Sequence, residues 1–173
     1  MNDGRLVSFY GHTGPDHRGR MLRDIRASDI SWLEGTHDFI QWLFPIPEPS
    51  RVNALAPLLT PADIEAFAAN PGMRNELLLS LEVMLRFYGL ELSGTPGAPR
   101  VERGANYATR SAEWLERPHN FLRISRILRS LTLLGCAPEA RAMLECLEGI
   151  YAENAQEIGS DTLRYWRRAI EPR

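Results

Sequence analysis

A chain of 173 residues with 44% hydrophobic and 24% charged residues has the balance of a folded globular protein, and at that length it can bury about 70% of the surface its unfolded form exposes. The net charge of −2 excludes a global attraction to nucleic acid or anionic lipid. Its longest apolar runs fall far short of the ~20 residues of a transmembrane span. No secretory signal pattern opens the chain, so a cytoplasmic location is expected. All 20 basic residues are arginine, which excludes Schiff-base and P-loop lysine chemistry.

Apolar residues recur every three to four positions, and period-2 alternation is nearly absent, so the spacing predicts an all-α fold: a single domain, 1–173, of about eight helices. A first helix is expected over Arg18–Ala27, with Met21, Leu22 and Ile25 inward. Ser31 and Glu34 have capping-box spacing, which predicts a second helical stretch from Ser31 to Phe44 with a break at Gly35. Alternate prolines from Pro45 to Pro49 favour a stiff extended connector. Thr60-Pro61 and Asn70-Pro71 each pair an N-cap with proline at the first helical position, so two helices start there. The second carries Leu77, Leu81, Met84, Leu85 and Tyr88 and stops at Gly89.

Three glycines and two prolines between Ser93 and Gly104 predict a long loop. Helices follow over Asn106–Leu115, His119–Leu134 and Pro138–Ala155, and Ser160 caps a last one containing Leu163, Tyr165, Trp166 and Ile170. Cys136 and Cys146 lie ten residues apart in this helical region, about 15 Å along one axis, too far for a disulfide.

Two helices are apolar nearly all round, which marks buried elements. In the first, Phe39, Ile40, Trp42, Leu43 and Phe44 leave only His37, Asp38 and Gln41 polar. In the second, a polar stripe of His119, Arg123, Arg126 and Ser130 runs at i, i+4, i+7, i+11 between apolar faces. Buried guanidinium groups need carboxylates, backbone carbonyls or an anionic ligand, and Asp38 is an attractive partner. The arrangement reads either as an internal salt-bridge network or as a polar recess for a carboxylate, phosphate or peptide terminus, to which arginine bonds bidentately.

Residues 100–130 hold seven Arg against three Glu, and residues 138–161 hold six acids against Arg141. Adjacent helices with this complementarity neutralise one another, so no nucleic-acid partner is expected. His12 and His17 read as solvated loop histidines. With no His-x-x-x-His or Cys-x-x-Cys spacing, no metal site, no cofactor and no catalytic residue is assigned.

The same segments carry a resemblance. Thr36-His-Asp-Phe-Ile-Gln-Trp-Leu-Phe-Pro45 and His119-Asn-Phe-Leu-Arg-Ile-Ser-Arg-Ile-Leu-Arg-Ser-Leu131 resemble two signature stretches of the conserved N-terminal domain of the opioid growth factor receptor family. Leu59-Thr-Pro-Ala-Asp-Ile-Glu-Ala-Phe67 and Met84-Leu-Arg-Phe-Tyr-Gly-Leu90 are similar to it in the same order. The resemblance covers about residues 9–170. It implies the family's all-helical fold and, from its animal member, a nucleus-associated receptor for the peptide Met-enkephalin. The Arg-only, Ala-rich composition suggests a bacterial source, where that physiology does not apply.

The resemblance gives His37, Asp38, Gln41, Trp42, His119, Asn120, Arg123 and Arg126 as motif positions. With Ser130 they form the candidate binding set of a non-enzymatic domain that takes a peptide or small anionic ligand in a polar recess between the two helices. Two alternatives stay open: an enzyme with His37 and Asp38 or His119 as acid and base, and a structural module that meets a protein partner through Pro45–Pro49 or the Trp166 helix.

Overall fold

A computed structural model describes residues 4–172, and among them eleven helices are joined by one two-stranded antiparallel sheet. The chain is therefore mostly helical and not purely all-α. The described residues form two compact units, one ending at Ser80 and the other beginning at Leu81. The boundary falls inside a helix and not in the stretch around Ser93–Gly104.

The first unit holds α1 (Arg5–Tyr10), α2 (Leu22–Arg26), α3 (Ile30–Gly35), α4 (Ile40–Leu43), α5 (Pro61–Ala69) and the first half of α6 (Pro71–Tyr88). The expected helix over Arg18–Ala27 starts late because Asp16 intervenes. Its Oδ1 accepts the backbone N–H groups of Arg18 and Arg20 at 2.8 and 2.9 Å, an Asx turn that competes with helical bonding. Only at Met21, whose N–H is taken by Asp24 at 3.0 Å, does α2 begin. The stretch expected from Ser31 divides into α3 and α4. α3 is capped by Asp29, which accepts from Trp32 N, and it ends where Thr36 turns extended. The cap at Thr60 forms as the sequence reads, with Asp63 completing a capping box. Phe9, Tyr10, Trp42 and Phe67 pack edge to face or tilted, with centroids 4.9–5.8 Å apart, and all four are fully buried.

The second unit holds the end of α6, β1 (Leu90–Thr95), β2 (Ala98–Arg103), α7 (Tyr107–Trp114), α8 (His119–Leu133), α9 (Ala137–Glu153), α10 (Ala155–Ile158) and α11 (Ser160–Ala169). The expected loop from Ser93 is in fact a hairpin with Leu92 opposite Val101 and Thr95 opposite Ala98. Gly94 makes it possible: it sits at φ +88°, and a Cβ there would lie 2.3 Å from Ala98 O, a place only glycine fills. Gly89, at φ +76°, ends α6 in the same way.

A run of aromatic contacts holds this unit together. Phe87–Tyr88, Tyr88–Trp114, Trp114–Phe121 and Phe121–Trp166 meet at steep angles with centroids 5.0–6.3 Å apart. The two tryptophans give their indole N–H groups to Tyr88 O and Phe121 O, both at 3.1 Å, so neither polar atom is buried unsatisfied.

Candidate functional site

Each unit contains a polar centre built into apolar surroundings. In the first, Asp16 is closed in by its own turn. Its side chain is fully buried, and Oδ2 takes Arg20 Nε at 2.6 Å. Arg20 then reaches Asp38 Oδ1 through Nη1 at 2.9 Å, while its guanidinium carbon stands 5.4 Å from the Trp32 ring centroid, within cation–π range. One arginine thus joins two carboxylates and an aromatic face.

Asp38 Oδ2 receives Arg18 Nε at 2.9 Å and lies 3.5 Å from His17 Nε2. Burial alone would raise the Asp38 carboxyl, but the bond and charge of Arg20, the bond from Arg18 and the nearness of His17 together outweigh it and hold it below its ordinary value. Within its own unit the partners of Asp38 are thus Arg18, Arg20 and His17.

The expectation of solvated loop histidines is corrected for His17: its side chain is only 6% exposed. Its Nδ1 accepts the indole N–H of buried Trp42 at 2.9 Å, which places the ring hydrogen on Nε2, facing Asp38. A ring bonded at both nitrogens has no free lone pair with which to act on a substrate. His12 is different. It occupies the left-handed position (φ 58°) after α1, and its Nε2 stands 3.0 Å from Glu76 Oε2, which also binds Arg26 Nη2 at 2.5 Å. Gln41, buried on α4, donates to His37 O at 3.2 Å and accepts from Asn53 Nδ2 at 3.4 Å. His37 itself is exposed.

In the second unit the polar centre is α8. Asn120 and Ser130 are fully buried, Arg123 is 4% exposed, and Arg126 and His119 are half-buried. The stripe read from the sequence therefore lies on one continuous helix and is largely withdrawn from water. Two neighbours escaped the sequence reading. Arg129, 8% exposed, donates to Glu171 O at 3.4 Å. Arg110, 6% exposed, donates to Phe87 O at 2.8 Å and to Glu113 at 2.6 Å. Arg110 and Arg123 both approach the ring of Phe87, with guanidinium carbons 5.2 and 5.9 Å from its centroid. The only sequence signal for Arg110 was its helical spacing from Trp114, which places both on the inner face.

The candidate residues thus divide: His37, Asp38, Gln41 and Trp42 belong to the first unit, and His119, Asn120, Arg123, Arg126 and Ser130 to the second.

A shallow depression of about 340 Å³ also lies between β2 and α9, lined by Arg100, Val101, Glu102, Ala142, Glu145 and Cys146. Burial pushes the Cys146 thiol up, against a smaller opposing pull from Arg103, so it is a poor nucleophile. Beside it Arg103 grips Glu153 bidentately at 2.9 and 2.8 Å, one pairing between the basic and acidic stretches noted in the sequence. Cys136 and Cys146 are not in a disulfide.

A family model for the opioid growth factor receptor conserved region matches residues 17–173. The chain is 36% identical over 162 residues to the rat (Rattus norvegicus) opioid growth factor receptor, covering 90% of this chain and 27% of that protein. It is 38% identical over 145 residues to the human (Homo sapiens) one, covering 82% and 21%. To opioid growth factor receptor-like protein 1 of Xenopus tropicalis it is 35% identical over 149 residues, covering 84% and 28%. The chain spans roughly a quarter of the length of these curated relatives. No solved structure matches it.

Proposed function

The chain belongs to the opioid growth factor receptor conserved-region family, and from that premise we propose that it is a non-enzymatic binding domain which takes a peptide or a small anionic group on the polar face of α8. One observation carries the reading. The segment His119–Leu133 holds three arginines and no carboxylate of its own, and it keeps Arg123 and Arg129 almost wholly out of water. Guanidinium groups withdrawn from solvent bond anionic oxygens bidentately and with less competition from water than exposed ones. Half-buried Arg126 is the member of the stripe through which a ligand enters. The relatives that bear the name receptor point to the same class of function.

No observation favours acid–base chemistry at Asp38, because a carboxylate held below its ordinary value by two arginines is a weak base.

The experiment is a thermal-shift screen of the wild type and Arg126→Ala against short peptides, nucleotides, inorganic phosphate and small carboxylates. A ligand at a hundred times its Kd stabilises the folded state by about 2.7 kcal/mol. The expected result is a compound that raises the wild-type Tm and not that of a folded Arg126→Ala. A panel in which nothing raises the Tm, or in which the rise survives Arg126→Ala, overturns the proposal.

A further inference from the structure

The hairpin leaves an edge open beside a helix. Gly104 N donates to Gly89 O at 2.9 Å, so the ladder has a hydrogen-bonded pair one step before Leu90–Arg103. Bonded and non-bonded pairs alternate along an antiparallel ladder. Glu91–Glu102, Ser93–Arg100 and Thr95–Ala98 therefore bond to each other, whereas Val101 and Arg103 turn their backbone N–H and C=O groups away from β1. No described residue bonds those outward groups. Val101 is nevertheless only 7% exposed, and buried backbone groups are almost always paired. Pro99, the next outward position, has no N–H to offer, so the open stretch is confined to Val101 and Arg103. The depression of about 340 Å³ lies along this stretch, with Arg100, Val101 and Glu102 on one side and Ala142, Glu145 and Cys146 of α9 on the other.

Three features decide the occupant. The open groups are backbone donors and acceptors, which an extended chain matches by adding as a further strand. A strand residue takes about 160 Å³, from a rise of ~3.4 Å, ~4.8 Å between strands and ~10 Å between layers, so the depression holds roughly two residues. A second copy would bring its own α9, packed on its own β2, into that space and does not fit. Ala142 and Cys146, one turn apart on α9, leave room for a small aliphatic side chain. At the rim Glu102 and Glu145 stand against Arg100. Arg103 and Glu153 neutralise each other, and Glu91, opposite Glu102, balances Arg141 on α9, which leaves the rim one net negative charge. We propose that β2 takes an extended segment of another protein as a third strand, bonded to Val101 and Arg103. A small aliphatic residue of that segment turns onto Ala142 and Cys146, and a basic one meets the rim. The site does not involve the polar face of α8.

The test is an amide-resolved NMR titration of the full chain with a six-residue peptide that alternates valine and threonine between two lysines. The same peptide is also made with N-methyl groups on either alternate set of its backbone amides. The unmodified peptide shifts the Val101 and Arg103 amide signals and slows their exchange. One methylated form binds at least tenfold more weakly and the other binds like the unmodified peptide, because a strand turns alternate N–H groups to its neighbour. Arg103→Pro removes an outward N–H and no bond to β1, and Cys146→Tyr fills the depression from a half-buried position; each weakens binding at least tenfold. Glutamates in place of the lysines weaken it at least threefold. Failure of the unmodified peptide to bind overturns the proposal, as do methylated forms that behave alike, glutamate and lysine peptides that bind equally, or binding that survives both substitutions. Binding lost in a folded Arg126→Ala assigns the peptide to α8 instead, and self-association by sedimentation that Arg103→Pro abolishes assigns the edge to a second copy; either overturns it too.

Discussion

Asp16→Ala removes the acceptor around which the start of the first unit is arranged. The wild-type carboxylate is fully buried and takes two backbone N–H groups at 2.8 and 2.9 Å and Arg20 Nε at 2.6 Å. Alanine leaves all three donors unmatched, and Arg20 loses one of its two carboxylates. Breaking a buried ion pair from one side costs about 3–5 kcal/mol, and two orphaned backbone donors keep the total in the upper part of that range. Asp16→Asn retains an oxygen for the turn but sets an amide against Arg20 Nε, so about 2 kcal/mol is expected. Urea denaturation followed by circular dichroism measures both. At about 2–4 °C per kcal/mol for a chain of this size, Asp16→Ala lowers the Tm by roughly 10–15 °C. An Asp16→Ala variant within about 0.5 kcal/mol of wild type, or an asparagine variant as unstable as the alanine one, refutes the reasoning.

Asp38→Asn tests the same network through pH. The Asp38 carboxyl is held below its ordinary value of 3.8, so its stabilisation is fully present above that value and is lost as pH falls through its lower folded value. The variant is therefore less stable than wild type at neutral pH, and the two denaturation curves converge as the solution is acidified through the carboxyl's lowered folded value; a gap that stays constant with pH contradicts the assignment. Gly94→Ala places a Cβ 2.3 Å from Ala98 O at φ +88°, a clash with backbone that costs about 1–3 kcal/mol. Denaturation together with the cross-strand contacts of Leu92 and Val101 in NMR reports it, and a stable variant with those contacts intact shows that the hairpin does not depend on that glycine.

What could be read in advance was local. Thr60, Asp63, Asn70 and the extent of α8 all follow from residues within a turn or two of each other, where capping chemistry and periodicity act. The hairpin is hidden because only Leu90 and Val101 are buried along it, with Leu92 and Pro99 half-buried, so the alternation that marks a strand is too short to stand out from the glycines and prolines around it. The burial of His17 is not legible in the sequence because its environment comes from Trp42, 25 positions later. The buried indole N–H needed an acceptor, but nothing local says which. Asp38 is legible as a paired acid, but Arg18 and Arg20 are not legible as its partners, since they reach it only after the Asx turn at Asp16 folds the chain back. The α8 stripe was legible because a single helix carries it, whereas Arg110, which shares Phe87 with Arg123, required the fold.

The placement of the indoles gives the molecule its own probes. Trp42 is sealed within the first unit, and Trp114 and Trp166 within the second, each fully buried. Variants that keep only Trp42, or only Trp114, turn fluorescence into a separate signal for each half of the chain. Coincident transitions in the two variants would mean that α6, which passes from one half into the other, makes them melt as one cooperative body. Two separate transitions would mean that each half has a melting point of its own, and any ligand-induced shift could then be traced to the half that binds.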